Sequence, residues 1–356
     1  MIKYIGSKRA LLPYILGTIG QLAPRGATVA DLFSGTARVG HALKAAGYRV
    51  ISNDHNAYAH ALATCYVQAD RERWIDKVRR IIADLARLPG KAGYFTETFC
   101  IKSRFFQPKN GERIDAIRDA IEAMAAEPEL EAVLLVSLME AADRVDSTAG
   151  LQMAYMKSWA PRSFNDLELR VPALLPRPSA GACRAVCGDA ERIAATIDAD
   201  VAYLDPPYNQ HSYLNNYHIW ESLVRWDKPD VYGIACKRID CRTRKSAFNS
   251  RPGILDALNR TIGGLTCPTI VMSFNNEGFL DRVEIEQLLR RRGYLTVIEL
   301  VHDRYVGAKI GIYNPQGKKV GKVGHLKNKE FLYVVTQEPV KLATGRGHDD
   351  AQPVLL

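Results

Sequence analysis

Apolar residues follow two rhythms along this chain. Short apolar runs stand at Thr28–Phe33, Tyr48–Asn53, Arg184–Cys187, Val201–Leu204, Thr269–Phe274, Tyr294–Val301 and Phe331–Val335. Their length, and the glycine, proline and polar residues that flank them, predict strands. Helical spacing appears between them, in Leu11, Leu12, Ile15, Leu16 and Ile19, then from His41 to Ala46 and from Val283 to Arg292. Strands alternating with helices predict an α/β domain built on a mainly parallel sheet. Residues 61–179 break the alternation: Trp74, Val78, Ile81, Ile82 and Leu85, then Ile114, Ile117 and Ile121, then Val133 to Met139 keep helical periodicity. The chain is therefore expected to divide into a discontinuous catalytic domain of residues 1–60 and 180–338, a mostly helical insertion of 61–179, and a loose tail of 339–356. Residues 304–329, with several glycines and lysines, read as a long hairpin connection, and Phe331–Val335 as the strand that closes the sheet.

The strand ends carry the candidate chemistry. Val201–Leu204 stops at Asp205-Pro206-Pro207-Tyr208. The prolines fix the backbone, so Asp205 and Tyr208 stand on a stiff loop at the carboxyl end of a strand, where open α/β sheets bind ligands. An ordinary Pro-rich turn has the same four residues; the other strand ends separate the two readings. Thr28–Phe33 runs into Ser34-Gly35-Thr36-Ala37, whose glycine lets the backbone approach a ligand closely. The turn lacks the middle glycine of a dinucleotide fingerprint and the Gly-Lys-Ser/Thr of a phosphate loop. Asp54 ends the next strand about twenty positions later, a place suited to ribose hydroxyls. Asp189 and Asn275 end two more strands. Together these ends predict a nucleoside cofactor without a pyrophosphate, which S-adenosylmethionine satisfies. Near the start, Gly6, Ser7 and Lys8 precede a helix that Ser7 could cap, as an anion seat or as a plain surface helix.

Composition narrows the partners. The 356 residues are 47% hydrophobic and 24% charged, as in a soluble globular protein. A formal net charge of +9 permits a polyanionic partner. Between residues 237 and 251, Lys237, Arg238, Arg242, Arg244, Lys245 and Arg251 face only one acid, Asp240, which predicts phosphate contacts, with a merely solvated loop as the alternative. Lys102 to Arg113, with Phe105 and Phe106, reads as a second loop able to touch nucleic acid, whereas the basic residues from Arg71 to Lys91 read as a solvated helix face. Glu140, Asp143, Arg144 and Asp146 read as an ion-pair cluster at a helix end. The seven cysteines lack zinc spacing and read as reduced thiols of a cytoplasmic protein. No apolar run is long enough to span a bilayer, and Pro13 interrupts the mildly apolar Ala10–Ile19, against a signal peptide.

Six stretches occur in a telling order: Lys3-Tyr4-Ile5-Gly6-Ser7-Lys8, Asp31-Leu32-Phe33-Ser34-Gly35-Thr36, Asn53-Asp54, Gly188-Asp189-Ala190, Asp205-Pro206-Pro207-Tyr208 and Ser273-Phe274-Asn275-Asn276-Glu277-Gly278. In these the chain resembles the bacterial DNA adenine methyltransferases, the Dam-like family that includes restriction–modification enzymes. It departs at Ala37, where relatives often have a second glycine. The resemblance implies a Rossmann-like class I S-adenosylmethionine-dependent methyltransferase fold whose insertion recognises the target. It implies that Tyr4 and Lys8 contact the methionine end of the cofactor, that Asp31, Phe33 and Gly35 line its amino-acid portion, and that Asp54 holds the ribose and Asp189 the adenine region. Asp205, beside the cofactor, and the Pro206 carbonyl would accept hydrogen bonds from the target amino group. Tyr208 would stack on the extruded base, with Pro207 stiffening the loop.

The chemistry agrees with those residue types. An adenine amino nitrogen is a weak nucleophile because its lone pair is delocalised, and two fixed acceptors favour a pyramidal nitrogen. Orientation of reactants can contribute roughly 7–11 kcal/mol. Flipping the base costs a few kcal/mol, of which stacking returns about 1–3 kcal/mol. The expected activity is site-specific methylation of adenine N6 in double-stranded DNA, by a monomer needing no metal, with any cognate restriction endonuclease on a separate chain. An RNA adenine or protein amide methyltransferase would use the same loop; a catalytically silent DNA-binding module and a nicotinamide oxidoreductase fit less well.

Overall fold

Five of the predicted apolar runs lie side by side and parallel in the computed structural model, which describes residues 1–303 and 327–343. The strands are β1 (Thr28–Asp31), β2 (Arg49–Asp54), β3 (Arg184–Cys187), β4 (Val201–Leu204), β5 (Val231–Tyr232), β6 (Lys237–Arg238), β7 (Thr269–Asn275), β8 (Tyr294–Asp303) and β9 (Lys327–Thr336). Seven form one sheet in the order β3-β2-β1-β4-β7-β9-β8, while β5 and β6 pair as a separate hairpin. The chain winds outward from β1 to β3, then returns to the other side of β1 with β4. This reversal opens a crevice at the carboxyl ends of β1 and β4.

β9 runs antiparallel between β7 and β8, so β8 and not Phe331–Val335 closes the sheet. Burial explains the order. Glu330 to Thr336 are all buried and need cover on both sides, whereas most of β8 from Tyr294 to Glu299 is only partly covered and suits an edge. Residues 304–326 of the expected hairpin connection and 344–356 of the expected tail lie outside the described residues.

The strands alternate between two apolar layers, as period-two side chains must. Val29, Val50, Val201, Tyr203 and Val271 face one cluster, and Ala30, Ile51, Ala202, Leu204, Ile270 and Met272 the other. The first layer holds α1 (Leu12–Leu22), α2 (Arg38–Ala45) and α3 (Ala57–Ala63), and then the long helical stretch. That stretch comprises α4 (Arg71–Ala86), the single turn α5 (Tyr94–Thr96), α6 (Pro108–Ala123) and α7 (Pro128–Arg144). Val133 to Met139 of α7 are all buried, and the helices share one apolar cluster with the sheet. The shorter α8 (Ala190–Ala194), α9 (Tyr213–Asn216) and α10 (His218–Arg225) precede α11 (Ile254–Gly264) and α12 (Arg282–Arg290).

Two local expectations are corrected. Ser7 does not cap α1: a 3-10 turn, Lys8–Ala10, intervenes and Ser7 makes no side-chain cap bond. Lys102 to Arg113 is not an exposed loop, because Phe105 and Phe106 are fully buried against Phe95, Tyr155, His218 and Trp220, and α6 begins at Pro108. Asp143 and Asp146 at the end of α7 take their partners from outside the helix, Lys3 and Arg162.

One buried carboxylate organises the turn before α6. Asp115 accepts from the amides of Gly93 (2.9 Å), Phe95 (2.9 Å) and Thr96 (2.8 Å) and from the Thr96 hydroxyl (2.7 Å). Asp115→Ala leaves the Phe95 and Thr96 donors buried without an acceptor, and chemical denaturation should show a loss of about 3 kcal/mol or more.

Candidate active site

The crevice at the carboxyl ends of β1 and β4 is a cleft of about 980 Å³, part of it open to solvent. Strand ends deliver its polar groups: Asp31 from β1, Asp54 from β2, Asp189 after β3 and Asp205 after β4. The Asp54 carboxylate accepts from the Gly35 amide (3.0 Å) on one oxygen and the Asn56 amide (3.0 Å) on the other, tying the first turn to the second strand. Gly35 has φ +50°, and a Cβ there would stand 3.3 Å from the Tyr4 ring, so this turn needs glycine. The Tyr4 ring stacks on Tyr217 (4.5 Å between centroids) and Tyr213 (5.1 Å), forming an aromatic wall. Phe33 meets the edge of Phe248 at 5.1 Å. Asp189 caps α8 through the Glu191 amide (2.9 Å) while lining the cleft.

Asp31 fits an ammonium group. It is buried, and neither oxygen has a hydrogen bond beyond a weak pull from the nearby Gly40 and Phe33 amides. Burial, reinforced by Asp205 and Asp54, pushes its carboxyl up to about 8. A cationic ligand would supply the missing partner.

Asp205 is bound from behind. Lys8 Nζ lies 3.0 Å from its Oδ1, and the Ser273 hydroxyl donates to the same oxygen at 2.9 Å. Ser273 in turn pairs with the Tyr203 hydroxyl (3.0 Å). Lys8 also reaches Glu330 Oε1 at 2.6 Å. Burial alone pulls the Lys8 ammonium down, but Asp205 and Glu330 together hold it well above the ordinary lysine range. Burial pushes the Asp205 carboxyl up, Lys8 draws it back, and Glu330 pushes it up again. Pro206 is buried; Pro207 lines the cleft; Tyr208 tilts against Phe274, and its carbonyl accepts from the Phe279 amide at 2.8 Å.

The structure thus brings Tyr4, Lys8, Asp31, Phe33, Gly35, Asp54, Asp189 and Asp205 to one cleft. Lys8 lines the cleft with its ammonium engaged by two carboxylates, Asp205 and Glu330. The basic segment needs correction. Arg238 is buried and held by Asp227 (2.7 Å) and Asp240 (3.1 Å), and is not available to phosphate. Arg244 pairs with the buried Glu221 (2.9 Å) and with Asp240 (3.3 Å) and lines the cleft. Lys237 is half-buried in β6, Arg242 lies over the Tyr232 ring at 4.2 Å, and Arg242, Lys245 and Arg251 are exposed. Sequence reasoning missed Tyr213, Phe248 and Glu330. The aromatic density after Tyr208 pointed towards Tyr213, but no local pattern marks Glu330.

The sheet order and this cleft define a Rossmann-like methyltransferase architecture. The chain belongs to the D12 class N6 adenine-specific DNA methyltransferases, whose family model matches residues 4–252. It is 28% identical over 341 residues to the type II methyltransferase M.NlaIII of Neisseria lactamica, covering 93% of this chain and all of that protein. It is 27% identical to the modification methylase StsI of Streptococcus sanguinis, over 95% of this chain and 52% of that one. It is 29% identical to the type II methyltransferase M.FokI of Planomicrobium okeanokoites, over 82% and 47% respectively. The chain therefore spans about half the length of the last two.

The Asp31 carboxyl, near 8 in the free protein, is mostly protonated at pH 7. An ammonium group favours its ionised form, so binding of S-adenosylmethionine at pH 7 should release a proton. Binding enthalpies in buffers of different ionisation heat measure this directly. Asp31→Asn should abolish the release and weaken binding by roughly 10- to 100-fold, the loss of one charge-assisted hydrogen bond.

Proposed function

We propose that this protein methylates adenine N6 at a specific site in duplex DNA, on a base flipped into the cleft, as the modification enzyme of a system whose nuclease is a separate chain. The observation that carries this reading is the Asp205 carboxylate, fixed through Oδ1 by Lys8 and Ser273 at the mouth of a cleft that also holds an unpaired Asp31. S-adenosylmethionine, when bound, supplies an electrophilic sulfonium methyl group. Asp31 takes its ammonium, the Tyr4 wall and Phe33 flank it, Asp54 takes the ribose and Asp189 the adenine. Asp205 Oδ2 and the Pro206 carbonyl hold the two N–H bonds of the target amino group, directing its lone pair into the cleft. Tyr208 stacks on the flipped base. No metal enters this scheme.

The exposed Arg242, Lys245 and Arg251 are the phosphate contacts in this reading, Lys237 a secondary one, and the helical stretch of 61–179 recognises the target. A location in the cytoplasm and a monomeric state belong to the same reading. Loss of the two buried or cleft-bound arginines from the DNA set leaves fewer phosphate contacts than the sequence suggested. A shallower salt dependence of binding follows from that.

Transfer of radiolabelled methyl to unmethylated DNA, RNA and protein tests the substrate. N6-methyladenine in DNA alone is expected. Label confined to RNA or protein would overturn the substrate assignment. Asp205→Ala should lose at least about 100-fold in the transfer rate while binding S-adenosylmethionine within a few-fold of wild type. Tyr208→Ala should weaken flipping by about 1–3 kcal/mol, read as lower fluorescence from 2-aminopurine placed at the target position.

A further inference from the structure

We propose that Glu330 is a positioning residue for methyl transfer, setting the charge and orientation of Asp205 through the Lys8 ammonium that both carboxylates share. The inference rests on the assignment of Asp205 as acceptor for the target amino group. Glu330 lies on β9, 322 residues from Lys8 and outside the segment matched by the family model.

Both oxygens of Glu330 are engaged. Oε1 meets Lys8 Nζ at 2.6 Å, and Oε2 accepts from the Asn275 side chain at 3.3 Å. Asn275 stands directly opposite Glu330 in the β7–β9 pairing, so strand register fixes the acid. Lys8 and Glu330 are 8% and 3% exposed, and water does not replace either partner. Lys8 Nζ then has one remaining carboxylate, Asp205 Oδ1 at 3.0 Å.

Charge gives this arrangement a purpose beyond packing. A lone Lys8–Asp205 pair would be neutral, and a fully paired Asp205 would be a poor acceptor. With Glu330 the three groups sum to one negative charge. The amino nitrogen of the target gains positive charge as its bond to the methyl group forms and the sulfonium S–CH3 bond breaks, leaving a neutral thioether, and the nitrogen then loses one proton to water. The net negative charge of the three groups, left on Asp205 because Glu330 neutralises Lys8, is complementary to that change. The other ionisable groups around Asp205 are Asp31 and the hydroxyls of Tyr203, Tyr208 and Tyr213. None of these compensates the loss of Glu330.

Glu330→Gln is the test, because it is isosteric, removes the charge and leaves Lys8 paired with Asp205, its single amide oxygen accepting from Lys8 or from Asn275 but not from both. Single-turnover methyl transfer should slow by roughly 10-fold, with affinity for S-adenosylmethionine within a few-fold of wild type. The negative charge of Glu330 raises the Asp205 carboxyl, so its removal should move the acidic limb of the rate–pH profile to lower pH. A purely structural role would not move that limb. If Glu330→Gln fails to fold, Glu330→Asp keeps the charge one methylene short. It should slow transfer with the acidic limb unmoved. Wild-type rate and limb in Glu330→Gln, with Asp205→Ala inactive, would overturn the role of Glu330 alone. Full activity in Asp205→Ala would overturn the assignment of Asp205 itself, and this inference with it.

Discussion

A single buried ammonium joins the first residues of the chain to the Asp205 loop and to β9. Lys8 lies between Asp205 and Glu330; Lys8 and Glu330 are buried and Asp205 mostly so. Taking three charges out of water is costly, and the cost is offset only when the geometry is good and the remaining valences are filled. Here Ser273 and Asn275 fill them, both from β7. The constraint runs outward from there. β9 must pair with β7 in one register for Glu330 to reach Lys8, and the segment carrying Lys8 must lie over the cleft, where the stacked Tyr4, Tyr213 and Tyr217 rings hold it.

Topology explains why the acids gather. Each parallel strand ends at the same edge, and the winding reverses between β1 and β4, so loops there splay apart and leave room for a ligand. Asp31, Asp54, Asp189 and Asp205 sit at four successive strand ends and need no further device to meet. The prolines after Asp205 add stiffness, and the Gly35 turn admits the Tyr4 ring. Ala37 carries φ +59°, the left-handed conformation a glycine would take without strain.

Much of this was legible before the structure. Strand runs and their polar ends are local, and Gly35, Asp54, Asp189 and Asp205 announce themselves by position, whereas Asp31, inside a strand run, entered through the family resemblance. The failures share one cause: a sequence shows charges but not their partners. Arg238 and Arg244 counted towards a basic loop, yet Asp227, Asp240 and Glu221 occupy them. Phe105 and Phe106 stood beside basic residues and looked exposed, though the aromatic cluster that buries them draws on residues as distant as Trp220. Glu330 gave no signal, since its partner lies at the other end of the chain. The placement of β9 depended on comparing burial across a hairpin, which a run of apolar letters does not encode.

The sign of the charge differs between the cleft and the chain as a whole, and the difference matters for a two-substrate reaction. Four aspartates line the cleft against Lys8, Arg38 and Arg244, and two of those three cations are tied to acids. The whole chain is nevertheless +9. An acidic cleft attracts a cationic methyl donor but repels a phosphodiester backbone. In the proposed reading a duplex therefore lies outside the cleft, where Arg242, Lys245 and Arg251 are exposed. A nucleobase is neutral and crosses the boundary without electrostatic penalty. The charge pattern thus favours a mode in which only the base enters, and it disfavours insertion of a strand with its phosphates. The base extrusion proposed above would in this respect follow from the electrostatics of the cleft as well as from the burial of N6 within the duplex.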